Sequence, residues 1–219
     1  MRKKRTSKLK KKTKNKKVMF MNEVVLPGEK VFDAPRPMPG AFVENKQTFA
    51  STISLLKEGR LIPIKGYYIP VAGDYIVGVV SEERFSGYKV DLNSPYEGSF
   101  STRDVREEFC QGDVISAKVL EVTEMHEAVL CEPRKFDAGR IVEVSHVKIP
   151  RVIGRNASMV QMIKDYAKTE LFVGKNGRIF MRGGNVALAV KAIAKINAEA
   201  HTSGLTDRMK EYLEANQGA

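Results

Sequence analysis

The chain has 219 residues, 42% of them hydrophobic, which is enough for one large domain or two to three small ones and excludes a chain disordered throughout. The formal net charge of +11 sits almost wholly in residues 1–17, which hold 11 Lys or Arg and no acid, while 26 basic and 26 acidic residues balance in the remainder. No apolar stretch approaches the roughly 20 residues of a membrane helix, no apolar run follows the basic N-terminus as in a secretory leader, and Cys110 and Cys131 form no C-x-x-C, which excludes a zinc ribbon.

In chain order, residues 1–17 read as a basic disordered tail, because like charges at that density repel and bury no core. Such a tail is expected to bind polyanions by counterion release, while a solubilising tail and a nuclear localisation signal fit the same residues. Residues 18–70 read as a small β module. Val24-Val25-Leu26 runs into Pro27-Gly28-Glu29, the segment Phe32–Gly40 holds three prolines, and short runs follow at Thr48–Leu56 and Leu61–Ile69. Residues 71–138 carry stronger β periodicity. Strands are expected at Tyr75–Val80, Tyr88–Leu92, Tyr96–Ser101 and Val114–Val122, with a last one at Ala128–Cys131. Ser81–Gly87 reads as a polar turn, and Thr102–Phe109 as helix or loop. Five short strands predict a closed barrel of the OB type.

From Gly139 the pattern mixes α and β, over residues 139–204 and a terminal helix and tail, 205–219. A strand pair is expected within Ile141–Val152, and Gly154-Arg155-Asn156-Ala157 opens a helix whose apolar face is Met159, Met162, Ile163 and Tyr166. Leu171–Val173 and Arg178–Arg182 flank the turn Gly174-Lys175-Asn176-Gly177, a strong hairpin signal. Asn185 caps a helix with Val186, Ala189, Val190, Ile193 and Ile196 facing the core, and Thr206 caps the last helix. The fold class is therefore α+β and multi-domain.

No catalytic pattern emerges. His126, His146 and His201 are scattered, no G-x-S-x-G, Walker A or H-E-x-x-H occurs, and Asp74, Asp91 and Asp113 stand beside strands and glycines as turn caps. The chain is read as non-enzymatic, with no cofactor and no metal. What remains is nucleic-acid binding. Tyr75, Phe85, Tyr88, Tyr96 and Phe100 are interleaved with Arg84, Lys89 and Arg103, so aromatic faces for unpaired bases alternate with cations for phosphates. Alternate strand residues point inward, so about half of these aromatics belong to the core. Gly154 allows backbone N–H groups near phosphates at a helix start, where Arg151 and Arg155 add charge.

Together these features carry a resemblance. The barrel resembles an S1 domain, and Val147–Ala200 resembles a KH domain, whose G-x-x-G loop clamps single-stranded RNA. Gly154, Arg155, Asn156 and Ala157 match that loop with one departure, Ala157 in place of the second glycine. The order Leu26-Pro27-Gly28-Glu29, S1, then KH with Gly174-Lys175-Asn176-Gly177-Arg178-Ile179 is similar to the S1/KH cap subunit of the archaeal-type exosome, over about residues 20–200. The resemblance implies a cytoplasmic, non-membrane cap protein, three copies to a ring of RNase PH-like subunits that own the catalytic sites. It implies that the S1 domains surround the pore and feed unpaired 3′ ends of RNA to degradation, enhancing poly(A)-type processing. Residues 18–70 then dock on the ring. A free-standing S1/KH protein of translation or RNA chaperoning is the alternative, and it leaves that module without a task.

Overall fold

A computed structural model describes residues 23–216 except 39, 65, 106, 201 and 203. The tail of residues 1–17, the start of the first module (18–22) and His201 lie outside the described residues. The chain divides into two compact units, one ending at Ile64 and one beginning at Lys65.

The first unit is built of six short strands: β1 (Glu23–Val25), β2 (Lys30–Phe32), β3 (Ala41–Glu44), β4 (Gln47–Ala50), β5 (Ser54–Lys57) and β6 (Arg60–Pro63). They form two antiparallel sheets, β1-β5-β6 and β2-β4-β3. Among the described residues its buried apolar cluster is Val25, Ala50 and Leu61, with Val31, Met38, Ala41 and Leu56 partly covered. The proline-rich loop is held by one side chain. The buried Thr48 hydroxyl donates to Ala34 O (2.7 Å) and accepts from Arg36 N–H (2.9 Å), replacing ladder bonds that proline cannot make.

The second unit begins with the barrel: β7 (Tyr75–Arg84), β8 (Gly87–Asp91), β9 (Glu97–Ser101), β10 (Val114–Val122) and β11 (Ala128–Lys135). Closure runs β10-β11-β9-β8-β7 and back to β10, with β11 and β9 parallel and the other pairs antiparallel. Inward-pointing Ile76, Val80, Val90, Ile115, Val119 and Leu130 fill it, as a period of two requires. The strand expected to end at Val80 continues to Arg84 through a bulge at Val80/Glu82, so the polar turn shrinks to Phe85-Ser86. Phe109, in a segment that reads as polar, is 1% exposed and packs its ring against Tyr88 and Phe100.

The remaining elements are β12 (Arg140–Glu143), α1 (Ile149–Ile153), α2 (Ser158–Ala167), β13 (Glu170–Val173), β14 (Arg178–Arg182), α3 (Val186–Glu199) and α4 (Leu205–Asn216). The sheet order is β12-β14-β13, antiparallel throughout. Its core includes Ile149, Ile163, Ile179, Ile193, Met209 and Leu213. The strand pair expected within Ile141–Val152 is one strand followed by a helical turn and α1. Pro150 stands in the first turn of α1, where its missing N–H has no intrahelical acceptor to lose. Asn185 caps α3 as expected, its side chain accepting from Leu188 N–H (2.9 Å). Thr206 does not cap α4; it lies inside the helix, which already begins at Leu205.

The hairpin between β13 and β14 joins this half to the barrel. The β7–β8 ladder ends at Val79↔Asp91, so Val77 faces past the end of β8 without a strand partner there. The Asn176 amide fills the gap: Oδ1 accepts from Val77 N–H (3.2 Å), and Nδ2 donates to Val77 O (2.7 Å) and Leu92 O (2.9 Å). Lys175 N–H donates to Tyr75 O (2.9 Å), continuing the false strand. Arg178 then grips Asp91 through both its carboxylate (2.7 Å) and its carbonyl (2.8 Å), and Glu143 at 3.0 Å. Asn176 is 1% and Arg178 7% exposed, so these are interior contacts. Asn176→Ala leaves two buried carbonyls and one N–H unsatisfied, at about 1–3 kcal/mol each where water does not enter. Thermal denaturation is expected to show a loss of at least about 3 kcal/mol, with earlier proteolysis between residues 131 and 145; an unchanged melting temperature would remove the hairpin from this role.

Candidate nucleic-acid interface

The outer face of β8 and β9, the second and third barrel strands, carries an open groove of about 410 Å³. Its lining includes Arg84, Ser86, Lys89, Ser99, Ser101 and Glu127, drawn from both strands, the end of β7, the β7–β8 turn and the residue before β11. In five-stranded OB barrels this is the face that meets oligonucleotides, together with the first and fourth strand connections. Both connections here present bare side chains. Phe85 at the β7–β8 turn is fully exposed, and Met125 in the β10–β11 connection is 80% exposed. Beside them Tyr96 lies against His126, ring centroids 5.0 Å apart.

The charge of this groove is close to balanced. Lys89 is ion-paired with Glu97, and Arg84 with Glu82 at 3.0 Å. The Arg84 guanidinium holds the Glu82 carboxyl below its ordinary range through that hydrogen bond, and Glu82 in turn raises Arg84. The groove therefore offers serine hydroxyls and aromatic faces before it offers net positive field.

The residues read from the sequence as a barrel site do not stay together. Tyr88 and Phe100 are 6% and 3% exposed, stacked at 5.0 Å inside the barrel. Their rings are core, because they fall in the inward register of β8 and β9, although both residues also border the groove. Tyr75 is exposed but stands at the start of β7, nine residues from Arg84, about 30 Å along an extended strand. Lys118 covers its ring at 5.8 Å, and its carbonyl is taken by the hairpin. Arg103 is exposed in a helical turn after β9 and does not line the groove. Of the predicted residues Arg84, Tyr88, Lys89 and Phe100 line the groove, and Phe85 and Tyr96 adjoin lining residues in sequence. Ser86, Ser99, Ser101 and Glu127 line it as well; Ser86 and Glu127 are single polar residues in short connections, and Ser99 and Ser101 are small polar residues of β9 with no charge or ring to mark them.

The second predicted site keeps its shape. Gly154–Ala157 joins α1 to α2 as an exposed helix–loop–helix connection, with Arg151 and Arg155 also exposed. Gly154 has φ 74°, and a Cβ there would come within 2.8 Å of Met159 Cβ and backbone nitrogen, so only glycine fits. Ala157 also takes a left-handed conformation, φ 59°, ψ 18°, which costs an L-residue roughly 1–2 kcal/mol. Gly174, Lys175, Asn176, Gly177 and Arg178 face the barrel instead of solvent, apart from the Lys175 side chain, whose ammonium pairs with Asp74 at 2.6 Å. Asp74 also accepts from Tyr68 OH (2.9 Å), whose acidity is suppressed by burial and by that carboxylate. Asp113 behaves as a turn cap, accepting from Cys110 N–H at 2.8 Å while pairing with Lys135. Among the described residues no three His, Cys, Asp or Glu side chains gather as a metal group, and no helix is long and apolar enough to cross a membrane.

Because Ala157 holds a conformation suited to glycine, Ala157→Gly is expected to stabilise the fold. The relieved strain of about 1–2 kcal/mol exceeds the extra unfolded-state entropy of about 0.4–1 kcal/mol. Urea denaturation should show a net gain near 0.5 kcal/mol, roughly the difference of those two terms; a loss would mean that the loop relaxes around the methyl.

No family model matches the chain. Curated relatives do. The exosome complex component Rrp4 of Pyrococcus abyssi is 36% identical over 225 aligned positions, covering 90% of this chain and 85% of the relative. Rrp4 of Picrophilus torridus is 34% identical, covering 91% and 96%, and Rrp4 of Thermofilum pendens 42% identical, covering 71% and 73%. A crystal structure described as that of an exosome complex RNA-binding protein superposes with a TM-score of 0.63 at 34% identity, over 68% of this chain and 97% of that one. At this identity and coverage, the chain belongs to the family of the exosome complex component Rrp4.

Proposed function

We propose that this chain is a non-catalytic, RNA-binding cap subunit of an exosome, which captures single-stranded RNA and feeds its 3′ end to a ring of RNase PH-like subunits. The observation that carries the RNA-binding part is the β8–β9 groove, with Phe85 bare between its lining residues Arg84 and Ser86 and Met125 bare two residues before its lining residue Glu127. A fully exposed phenylalanine gains nothing for the fold, whereas an unpaired base stacked on it contributes about 1–3 kcal/mol. The family supports membership of an exosome. Three copies per ring, admission of 3′ ends, poly(A)-type processing and a cytoplasmic location belong to the same reading.

The division of labour follows the chain. Residues 71–138 act as the S1 RNA-binding barrel and 139–204 as the KH domain, with the Gly154–Ala157 loop and Arg151 as a secondary RNA contact. Residues 18–70 act as the docking module. In that unit Val24, Leu26, Phe42, Val43, Ile53 and Ile62 are exposed by 40–55%, against a buried apolar cluster of three among the described residues. A free-standing RNA binder gains nothing from such a surface, and a ring subunit covers it.

Phe85→Ala is expected to lower affinity for an unstructured RNA roughly fivefold or more, with unchanged circular dichroism, in fluorescence anisotropy at fixed salt. Unchanged affinity would clear the β8–β9 face of this role. Affinity purification of the tagged full chain after nuclease treatment should bring down RNase PH-like subunits in stoichiometric amount. Elution alone, or with ribosomes, would leave the RNA-binding modules and sink the cap assignment.

A further inference from the structure

A second groove, of about 490 Å³, lies where the barrel meets the KH-like sheet. That volume falls within the range of sites that hold small ligands. Its floor is aromatic. Phe136, just beyond β11, stacks face to face on Phe180 with centroids 4.1 Å apart and planes 8° apart, and Phe172 of β13 leans on Phe136 at 5.5 Å. Phe136 is held by its N–H donating to Val114 O (2.9 Å). Phe180 is 3% exposed, while Phe136 and Phe172 are only partly buried. Gly139 lets this stack form, since a Cβ there would sit 2.2 Å from Phe180 Cζ.

Four cations and two acids line the same groove: Arg134, Lys135, Lys164 and Arg182, with Asp137 and Glu170. Arg182 takes both acids, Glu170 at 2.6 Å and Asp137 at 3.2 Å, and Lys135 is taken by Asp113 at 2.6 Å. Arg134 and Lys164 have no ion pair among the described residues. A rigid aromatic floor flanked by two uncommitted cations is complementary to a flat base with a phosphate on each side. This balance also differs from that of the β8–β9 groove, where Arg84 and Lys89 are both engaged by acids.

We infer that this junction groove is a second seat for single-stranded RNA, with a base on Phe172 and Phe136 and its flanking phosphates on Arg134 and Lys164. The inference rests on the RNA-binding reading above and extends it to a part of the surface outside both the barrel face and the Gly154–Ala157 loop. Because the hairpin locks barrel and KH-like half into one unit, the seat exists only when both are present.

The test is anisotropy of the full chain with an unstructured 20-nucleotide RNA, titrated between 50 and 200 mM salt. The variants are Arg134→Ala/Lys164→Ala, a charge-matched control Lys191→Ala/Lys210→Ala on exposed parts of α3 and α4, Phe172→Ala and Phe85→Ala. The slope of log K against log salt should fall by about 1.4 in the groove variant, roughly 0.7 for each lost phosphate contact, and by clearly less in the control. Phe172→Ala, checked for folding by circular dichroism, should weaken binding about fivefold or more. A 4-thiouridine RNA should cross-link to peptides containing Phe136 or Phe172. If the groove variant matches the control and no such cross-link forms while Phe85→Ala still weakens binding, the junction seat is wrong and the barrel reading stands. If the unmodified chain does not bind the RNA, both fall.

Discussion

The interaction on which this structure depends is the replacement of a strand residue by the side chain of Asn176. A five-stranded barrel closes by letting strands part company, and β8 leaves β7 after Val79↔Asp91. That departure would strand the N–H and C=O of Val77 and the carbonyl of Leu92 in a dry interior. A side-chain amide has one acceptor and two donor hydrogens, the complement of those three groups. Asn176 reaches all three from the tip of a hairpin that belongs to another sheet. The surrounding residues are fitted to that approach: a Cβ on Gly174 would lie 2.3 Å from Asn176 Oδ1, and one on Gly177 2.3 Å from Val144 O. The string Gly-Lys-Asn-Gly-Arg is thus an interlock between two domains.

Much of the fold was legible because its periodicities are strong, and the failures have identifiable physics. Val114–Val122 and Arg178–Arg182 stand where their β-branched and apolar runs put them. The β7 overhang was hidden because Ser81–Arg84 are exposed on both faces and show no alternation. α1 was hidden because its β-branched Ile149, Val152 and Ile153 read as strand, while the first turn of a helix accommodates Pro150. Phe109 was hidden in a polar segment, where no neighbour announced that it would plug the barrel.

For the site, residue types were legible and their grouping was not. Phe85 could be set apart as the least core-like, because it falls in a polar turn, but closure of a barrel decides which strand aromatics turn inward, and the sequence without its register does not single out Tyr88 and Phe100. Nor could spacing show that Arg134, Phe136, Lys164 and Phe172, separated by up to 38 positions, would line one groove. That grouping is a product of the interlock, since it brings the end of β11 against β13.

The charge pattern bears on how such a surface would discriminate. In the β8–β9 groove the cations are spent on Glu82 and Glu97, so long-range attraction there is weak and contact must come from stacking and hydroxyls. Stacking requires unpaired bases, and duplex RNA hides its base faces in the stack. A groove with little net charge therefore selects single strands in a way that a uniformly basic groove, attractive to any phosphate backbone, does not. On the reading proposed above, the 11 cations of residues 1–17, which stand apart in sequence from these grooves, would supply sequence-independent attraction while the grooves read unpaired structure. Attraction and selection can then vary independently: salt weakens the first steeply, and the aromatic contacts persist.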